Sequence, residues 1–502
     1  MRIRSILGAL MVCLLMAVPA MAQDLSLEER VKRLEQQQKD KEEHEKRERA
    51  GMPPGVERPE VMRSETPTGE PGIGTLPEVG KDLRTEKQPA LSFGSSGSGR
   101  LVYAKPFVAA PKAIVGGYMD IQYRSQSKAS IENGYGGSTN GFDQQRFVPF
   151  IYADITEHVK FASELEIEHG IRETDSSEIS LEFAHIDYLV NEPFNLRAGI
   201  LLLPIGKFNL LHDSPLNDLT DRPLVSQLII PSTIAETGAG FYGTFYPGRT
   251  SKVDYELYVT TGPCGYDTNG SPRVTEQDGT RESRQRKCPS TDGLDINNGK
   301  AVVGRLAFSP MLGVEVAGSS YYGNSSINGN YNPLSITAID WTLQRGPFEV
   351  IGEAAWAYAR GNSRAIQGNT IPGGFAPGSL LTGMGGNSGM RIPPQRMNGF
   401  YIQGNYHFMP QFLTKLSPKR FGEGSTFTAV IRYDKVNTNL DNSNGTGGWG
   451  NLEQISVGLN YRPIEDAVFK ISYQYQPMAF NPNNGGSRIH DSALVLSAAT
   501  YF

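Results

Sequence analysis

The run LRAGILLLPIGKFNLLHDSPLNDLTDRPLVSQLIIPSTIAETGAGFYGTFYP, residues 196–247, decides how the rest of the chain is read. Its two ends, Leu196 to Pro204 and Gly238 to Pro247, have the make-up of β-strands. Between them lies a segment far longer than a turn. It carries Leu210, Leu211, Leu216, Leu224, Leu228, Ile229, Ile230 and Ile234, too many apolar side chains for a loop washed by solvent. Long loops without regular structure are usually functional or disordered, and this apolar content argues against disorder. The segment must therefore pack on something. The expectation is the inner wall of a large β-barrel, with residues 205–237 folded inward to narrow a pore. The alternative is a short helical insert in a soluble β-protein.

Outside that run the chain alternates apolar and polar residues from about Ala113 to Phe502. In VKFASELEIEHG, residues 159–170, Phe161, Leu165 and Ile167 face one way, and Lys160, Glu164, Glu166 and Glu168 the other. KVDYELYV (252–259), FEVIGEAAWAY (348–358), TFTAVIRYD (426–434) and VFKISYQY (468–475) repeat the pattern. About sixteen such segments can be counted, each about the 9–11 residues that a tilted strand needs to cross a bilayer, or slightly longer. Tight connectors such as 156–158 and 345–347 alternate with long ones such as 205–237, 262–298, 360–397 and 438–450. That asymmetry is typical of outer-membrane barrels, whose short turns are periplasmic. The connector PQFLTKLSPKRFGEGS, 410–425, breaks the rule by being long where a short turn belongs.

Composition agrees. Of 502 residues only 20% are charged and 38% hydrophobic, with 56 Gly, 22 Tyr and 22 Phe, which suits a wall one residue thick. A net charge of -5 offers nothing to nucleic acid. Residues 1–22 read as a secretory signal: Arg2 and Arg4, an apolar core from Ile6 to Val18, then Ala20-Met21-Ala22. No later run of about 20 apolar residues follows, so no helical span is expected. Residues 23–50 form a charged periplasmic helix whose apolar seam is only Leu27, Val31 and Leu34, either a solvated single helix or a short coiled coil. Residues 51–112 are a linker rich in Pro and Gly, and 113–502 the barrel. With Cys13 lost in the signal, Cys264 and Cys288 remain as a candidate disulfide worth about 3 kcal/mol.

The final segment DSALVLSAATYF alternates and closes on Phe502, as the last strand of bacterial outer-membrane porins does. With the charged helix, the linker, the barrel length and the run RAGILLLPIGKFNLLHDSP, the chain resembles the phosphate-selective porin O/P group and its coiled-coil-bearing relatives. The resemblance implies a 16-stranded antiparallel transmembrane β-barrel, a homotrimer, a third extracellular loop folded inside, and recognition of Phe502 by the barrel assembly machinery. That family's phosphate selectivity rests on an arginine ladder and a lysine cluster. The sequence offers no matching ladder, so architecture alone is carried over.

Alternation directs Lys160, Glu164, Glu166, Glu168, Glu182, Arg197, Asp254, Glu256, Arg305, Glu315, Glu353, Arg432, Asp434, Arg462 and Lys470 toward the lumen. Strands three to seven supply mostly carboxylates, while Arg432, Arg462 and Lys470 lie late in the chain. Such segregation either sets a transverse field across the aperture or simply solvates a wide lumen. The inward loop adds Lys207, His212, Asp213, Asp218, Asp221, Arg222 and Glu236. Lys207 and Arg222 are candidates to hold it to wall carboxylates, with Asp218 and Asp221 facing the pore. His212 beside Asp213 invites a metal or acid–base reading, but no second ligand sits at a telling interval, and an anchoring histidine is the expectation. Arg273, Arg281, Arg284, Arg286 and Lys287, between the two cysteines, are read as an anion collector, a lipopolysaccharide contact or a plain solvated loop. Aromatics near strand ends, among them Tyr152, Tyr188, Phe245, Phe408, Tyr461 and Phe502, fit the two girdles at the lipid interfaces.

No nucleophile–histidine constellation, phosphate-cradling motif or thiolate metal site is present, and no cofactor is expected. The function expected is an outer-membrane diffusion channel for small hydrophilic solutes or ions. The alternative is an adhesion or envelope-tethering barrel with an incidental pore. A barrel hydrolase would need a convergent Ser–His or Asp–His site, which seven scattered histidines do not suggest.

Overall fold

A computed structural model describes residues 113–127, 139–169, 178–265, 273–276, 278–287, 299–327, 330–359, 396–422, 424–440, 451–480 and 488–502. The expected signal segment 1–22, the charged helix 23–50, the linker 51–112 and Cys288 lie outside these residues.

Sixteen strands follow in order. They are β1 (Ala113–Gln126), β2 (Thr139–Asp154), β3 (Val159–Glu168), β4 (Glu178–Asn191), β5 (Phe194–Leu202), β6 (Ala235–Phe245), β7 (Lys252–Thr260) and β8 (Ala301–Met311). Then come β9 (Val314–Ile327), β10 (Asn330–Arg345), β11 (Phe348–Ala359), β12 (Arg396–Phe408), β13 (Thr426–Asn437), β14 (Asn451–Ile464), β15 (Ala467–Phe480) and β16 (Arg488–Tyr501). Each pairs with its chain neighbours, and β1 pairs antiparallel with β16, which closes the barrel. Among the described residues three short α-helices interrupt the connections: α1 (Lys207–Leu210), α2 (Leu224–Leu228) and α3 (Gln411–Leu416).

The period of two is visible in burial. Along β1, Asp120, Gln122 and Arg124 are buried whereas Met119 and Ile121 are exposed. Leu165, Leu181, Leu196, Leu257, Leu306, Ile402 and Ile431 are likewise exposed on other strands, an apolar outer band suited to hydrocarbon. A chain of rings runs along the short-turn end: Phe348–Tyr406, Tyr406–Phe408, Phe408–Phe427 and Phe427–Tyr461, with centroids 4.7–5.9 Å apart. This is the geometry of an interfacial aromatic belt. Tyr152 does not belong to such a belt. It is buried with Tyr118, Phe150 and Phe183 on the opposite face, because the parity of β2 turns it inward. The long connector 410–425 contains α3, whose Phe412 and Leu416 are exposed.

The seam is tight. Gly117 N donates to Phe502 O (3.1 Å), Phe502 N donates to Gly117 O (2.9 Å), and the Phe502 ring stacks on Phe147 at 5.8 Å. A Cβ on Gly117 would lie 2.4 Å from Val148 O and 2.8 Å from the Phe502 ring. The substitution Gly117→Val should therefore lower the fraction of chains that migrate as a folded, heat-modifiable barrel on gels. A folded fraction equal to wild type would show that the seam does not need glycine there.

Candidate functional site

Between β5 and β6 the chain leaves the wall at Leu203 and returns at Ile234. Side chains from β1, β4, β9, β11, β13 and β15 all reach this one loop, which is possible only if it lies in the lumen. Its apolar side chains explain why it stays there. Leu203, Ile205, Leu224, Val225, Leu228, Ile229, Ile230 and Ile234 are each no more than 2% exposed. They share one cluster with Tyr258, Val303, Tyr321, Ile336, Ala338, Ala355, Ala357, Met397 and Val436 of the wall. Behind the loop, then, the inner face is apolar rather than polar, and its alanines leave room for α2. Burying a leucine or isoleucine side chain contributes about 1.5–3 kcal/mol, so the cluster holds the loop against thermal release.

Polar contacts fix the register of the loop. The chain enters α1 through Gly206, at φ 66°, where a Cβ would lie 2.3 Å from a Glu353 carboxylate oxygen. Glu353 accepts from Phe208 N (3.2 Å), and Lys207 Nζ donates to Thr342 Oγ1 (2.6 Å) and pairs with Glu315 (3.3 Å). Asn209 ties the two loop ends together, donating to Leu203 O (2.8 Å) and accepting from Ile234 N (3.0 Å). Lys470 Nζ donates to the carbonyls of Ser214, Asn217 and Leu219 at 2.7, 3.0 and 3.4 Å. Arg462 donates to Pro215 O at 2.7 Å, and Tyr501 OH donates to Asp213 at 2.7 Å.

Several expectations change in detail. Asp218 and Asp221 do not face open water. Asp218 is gripped by Arg462, Asn405 and Asn460, and Asp221 pairs with Arg124. Arg222 donates to Ser232 O within the loop and lies 3.6 Å from Glu166 of the wall. Glu236 belongs to β6 rather than the loop, since it pairs in register with Leu201; it accepts from Tyr321 OH and Gly262 N. Arg432, Arg462 and Lys470, read as one side of a transverse field, are engaged by Asp434 and by loop carbonyls and carboxylates. Arg197 is matched by Asp187 (2.7 Å) and Arg305 by Asp340. Glu166 and Glu168 are matched by Arg146. Lys160 pairs with Asp154, and Asp254 with Lys252. Glu256 accepts from Tyr258 OH.

The alternation of β1 already pointed Asp120, Gln122 and Arg124 inward, and Arg146, Asp187 and Asp340 are equally legible. These six are wall residues as well, and all are buried. The basic segment between the cysteines is not spread over the surface. Cys264 is disulfide-bonded, Thr280 N donates to Leu228 O (2.9 Å), and Arg284 donates to Ser232 O (3.4 Å). Arg286 reaches Ser180 (3.0 Å) and Glu166 (3.5 Å). Residues 280–286 thus lie against the inward loop and help pin it.

Two cavities flank the loop. One is lined by Lys160, Glu164, Phe183, His185, Asp187, Arg197, Leu210, His212 and Asp213. The other is lined by Lys207, Leu216, Asp218, Glu349, Gln403 and Arg432. The first holds a contact that sequence intervals hid. His212 Nε2 lies 2.8 Å from Glu182 Oε2, and Glu164 joins them from β3. Lys470→Met should speed amide exchange across Ser214–Leu219 by roughly tenfold or more, equivalent to the loss of about 1–3 kcal/mol when buried carbonyls lose their donor. Exchange at the wild-type rate would show that the clamp contributes nothing.

The family description "phosphate-selective porin O and P" matches residues 121–484. A protein of Aquifex aeolicus (strain VF5), named only as uncharacterized, is 26% identical over 369 residues, covering 72% of this chain and 74% of its own. Among solved structures, an anion-selective porin from Comamonas acidovorans shares 10% identity at a TM-score of 0.45, over 78% of this chain and 99% of that one. The outer membrane channel DcaP of Acinetobacter baumannii, also at 10% and 0.45, is covered over 97% of its length, against 78% of this chain. The chain belongs to the phosphate-selective porin O and P family and is a porin channel of the outer membrane.

Proposed function

We propose that the barrel passes small hydrophilic solutes or ions by diffusion, and that the loop Leu203–Ile234 is its constriction. The observation that carries this reading is the loop itself, seated on an apolar wall and held by side chains from opposite sides of the barrel, Gln122 of β1 and Ser319 of β9. Solute would move through the two flanking cavities, past Lys160, Asp187 and Arg197 on one side and Lys207, Glu349 and Gln403 on the other. Pore size and wall charge do the work, and no chemical step is needed.

Phosphate selectivity, which the family's description names, is not carried over to this chain. Arg124, Arg146, Arg222, Arg284, Arg286 and Arg432 gather around the loop, but each is engaged by carboxylates or main-chain carbonyls. The proposal also includes, on sequence grounds, export by the segment 1–22, a periplasmic helix 23–50 on the linker 51–112, a Cys264–Cys288 disulfide and a homotrimer. Lipid and lipopolysaccharide surround the barrel, and the assembly machinery reads Phe502.

Deleting residues 215–221 should raise single-channel conductance in planar bilayers; unchanged conductance would refute the constriction. A milder variant tests the anchor. Burial opposes ionisation of Asp221, but Arg124 beside it outweighs that and holds the carboxyl below its usual range. A carboxylate held low seats the loop at neutral pH and loses that contribution as pH falls through the depressed value. Open-channel noise should therefore grow on acidification below about pH 4. Asp221→Asn should show the same noise at neutral pH. A quiet Asp221→Asn channel would remove Asp221 from the anchor.

A further inference from the structure

We propose that Glu164, Glu182 and His212 form a binding site for a divalent transition-metal cation, of which Zn²⁺ is the type, clipping the constriction loop to β3 and β4. One ligand atom from each residue lies within 4.8 Å of the others, and each residue is at most 2% exposed. The three come from different elements: Glu164 from β3, Glu182 from β4 and His212 from the turn after α1.

Four observations point to a cation. First, His212 Nδ1 donates to Asn209 O at 2.9 Å, and Nε2 shares a proton with Glu182 Oε2 at 2.8 Å, the position that a cation would take over from that proton. A ring nitrogen fixed by a main-chain carbonyl while the other faces carboxylates is the usual arrangement of a metal-ligating histidine. Second, Glu164 Oε1 is buried without a hydrogen-bond partner. Third, the β3–β4 register shifts between Glu164 and Leu165: Glu164 pairs with Phe183 and Leu165 with Leu181, leaving Glu182 as the extra residue of a β-bulge. Bulges re-aim side chains, and this one turns Glu182 inward beside Phe183. Fourth, among the described residues no lysine or arginine forms an ion pair with Glu164 or Glu182. Arg146, Arg222 and Arg286, which lie nearby, go to Glu166 and Glu168 instead.

The donor set selects the class. One imidazole and two carboxylates suit a borderline cation better than Ca²⁺ or Mg²⁺, which take oxygen alone. Asp213 Oδ1, 4.0 Å from His212 Nε2, is placed to supply a fourth donor, and the adjoining cavity admits the ion and water. On this side of the lumen carboxylates outnumber cations, so a bound divalent ion would also reduce the pull on permeant cations.

The test uses the untagged full chain in detergent, stripped with a chelator and titrated calorimetrically with Zn²⁺. One saturable site is expected. Glu164→Gln and His212→Ala should each weaken it by at least about tenfold, and Asp491→Asn, a buried acid remote from the site, should leave it intact. Glu164→Gln is nearly isosteric and keeps the test valid where His212→Ala fails to fold. Zn²⁺ should also move the reversal potential toward anions in wild type and not in Glu164→Gln. Absence of uptake, with an infrared band for a protonated carboxylic acid lost in Glu164→Gln, would overturn the proposal in favour of a shared proton. Equal Zn²⁺ uptake by wild type and both variants would overturn it too. Calorimetry reads binding without conductance, so the outcome is independent of whether the loop is the constriction.

Discussion

Hydrocarbon supplies no hydrogen bonds, so a sheet survives there only if it has no edge. Here that condition is met by β1 and β16, from the two ends of the described chain, whose ladder runs from Tyr118↔Tyr501 to Gln126↔Ala493. Once the sheet is a cylinder its two faces see different solvents, which is why Ile121 points outward and Asp120 inward. The same rule then applies inside. A loop packed into the lumen has main-chain carbonyls that little water can reach, and the wall must supply donors for them. Lys470, Arg462 and Arg432 do this for residues 214–222.

Those donors change the electrostatics of the channel. A positively charged side chain that spends its protons on carbonyls of a fixed loop has less field left for a passing ion. Most inward charges are similarly matched, Arg197 by Asp187, Arg305 by Asp340 and Arg146 by Glu166. The lumen is thus a network of mutual restraints, in which Glu182 is met by His212 and Thr233 rather than by a lysine or arginine.

Much of this was legible in the residues. The strand number, the parity of Glu164 and Lys470 and the burial of the loop all follow from local pattern, because a strand's period of two and a leucine's need for cover are local facts. Contacts across the barrel are not local. His212 and Glu182 are 30 residues apart in sequence and meet only because β4 carries a bulge and the loop folds back. Asp218 and Asp221 looked like pore-facing acids because nothing in their neighbourhood shows that Asn405, Arg462 and Arg124 will reach them. The apolar inner wall was hidden for the same reason. Ala338, Ala355 and Val436 read as filler until the loop lies against them. In the connector 410–425 length alone did not reveal the six-residue helix.

The wide sequence separation between the loop and its holders has a consequence for biogenesis. Lys470 grips carbonyls more than 250 residues earlier in the chain, and Tyr501 reaches back 288 residues to Asp213. Neither exists as a partner until β15 and β16 have joined the wall. A cylinder without those strands would leave the leucine-rich segment lacking these two moorings. The loop is accordingly moored in full only in the closed sheet, whatever the order in which its strands assemble.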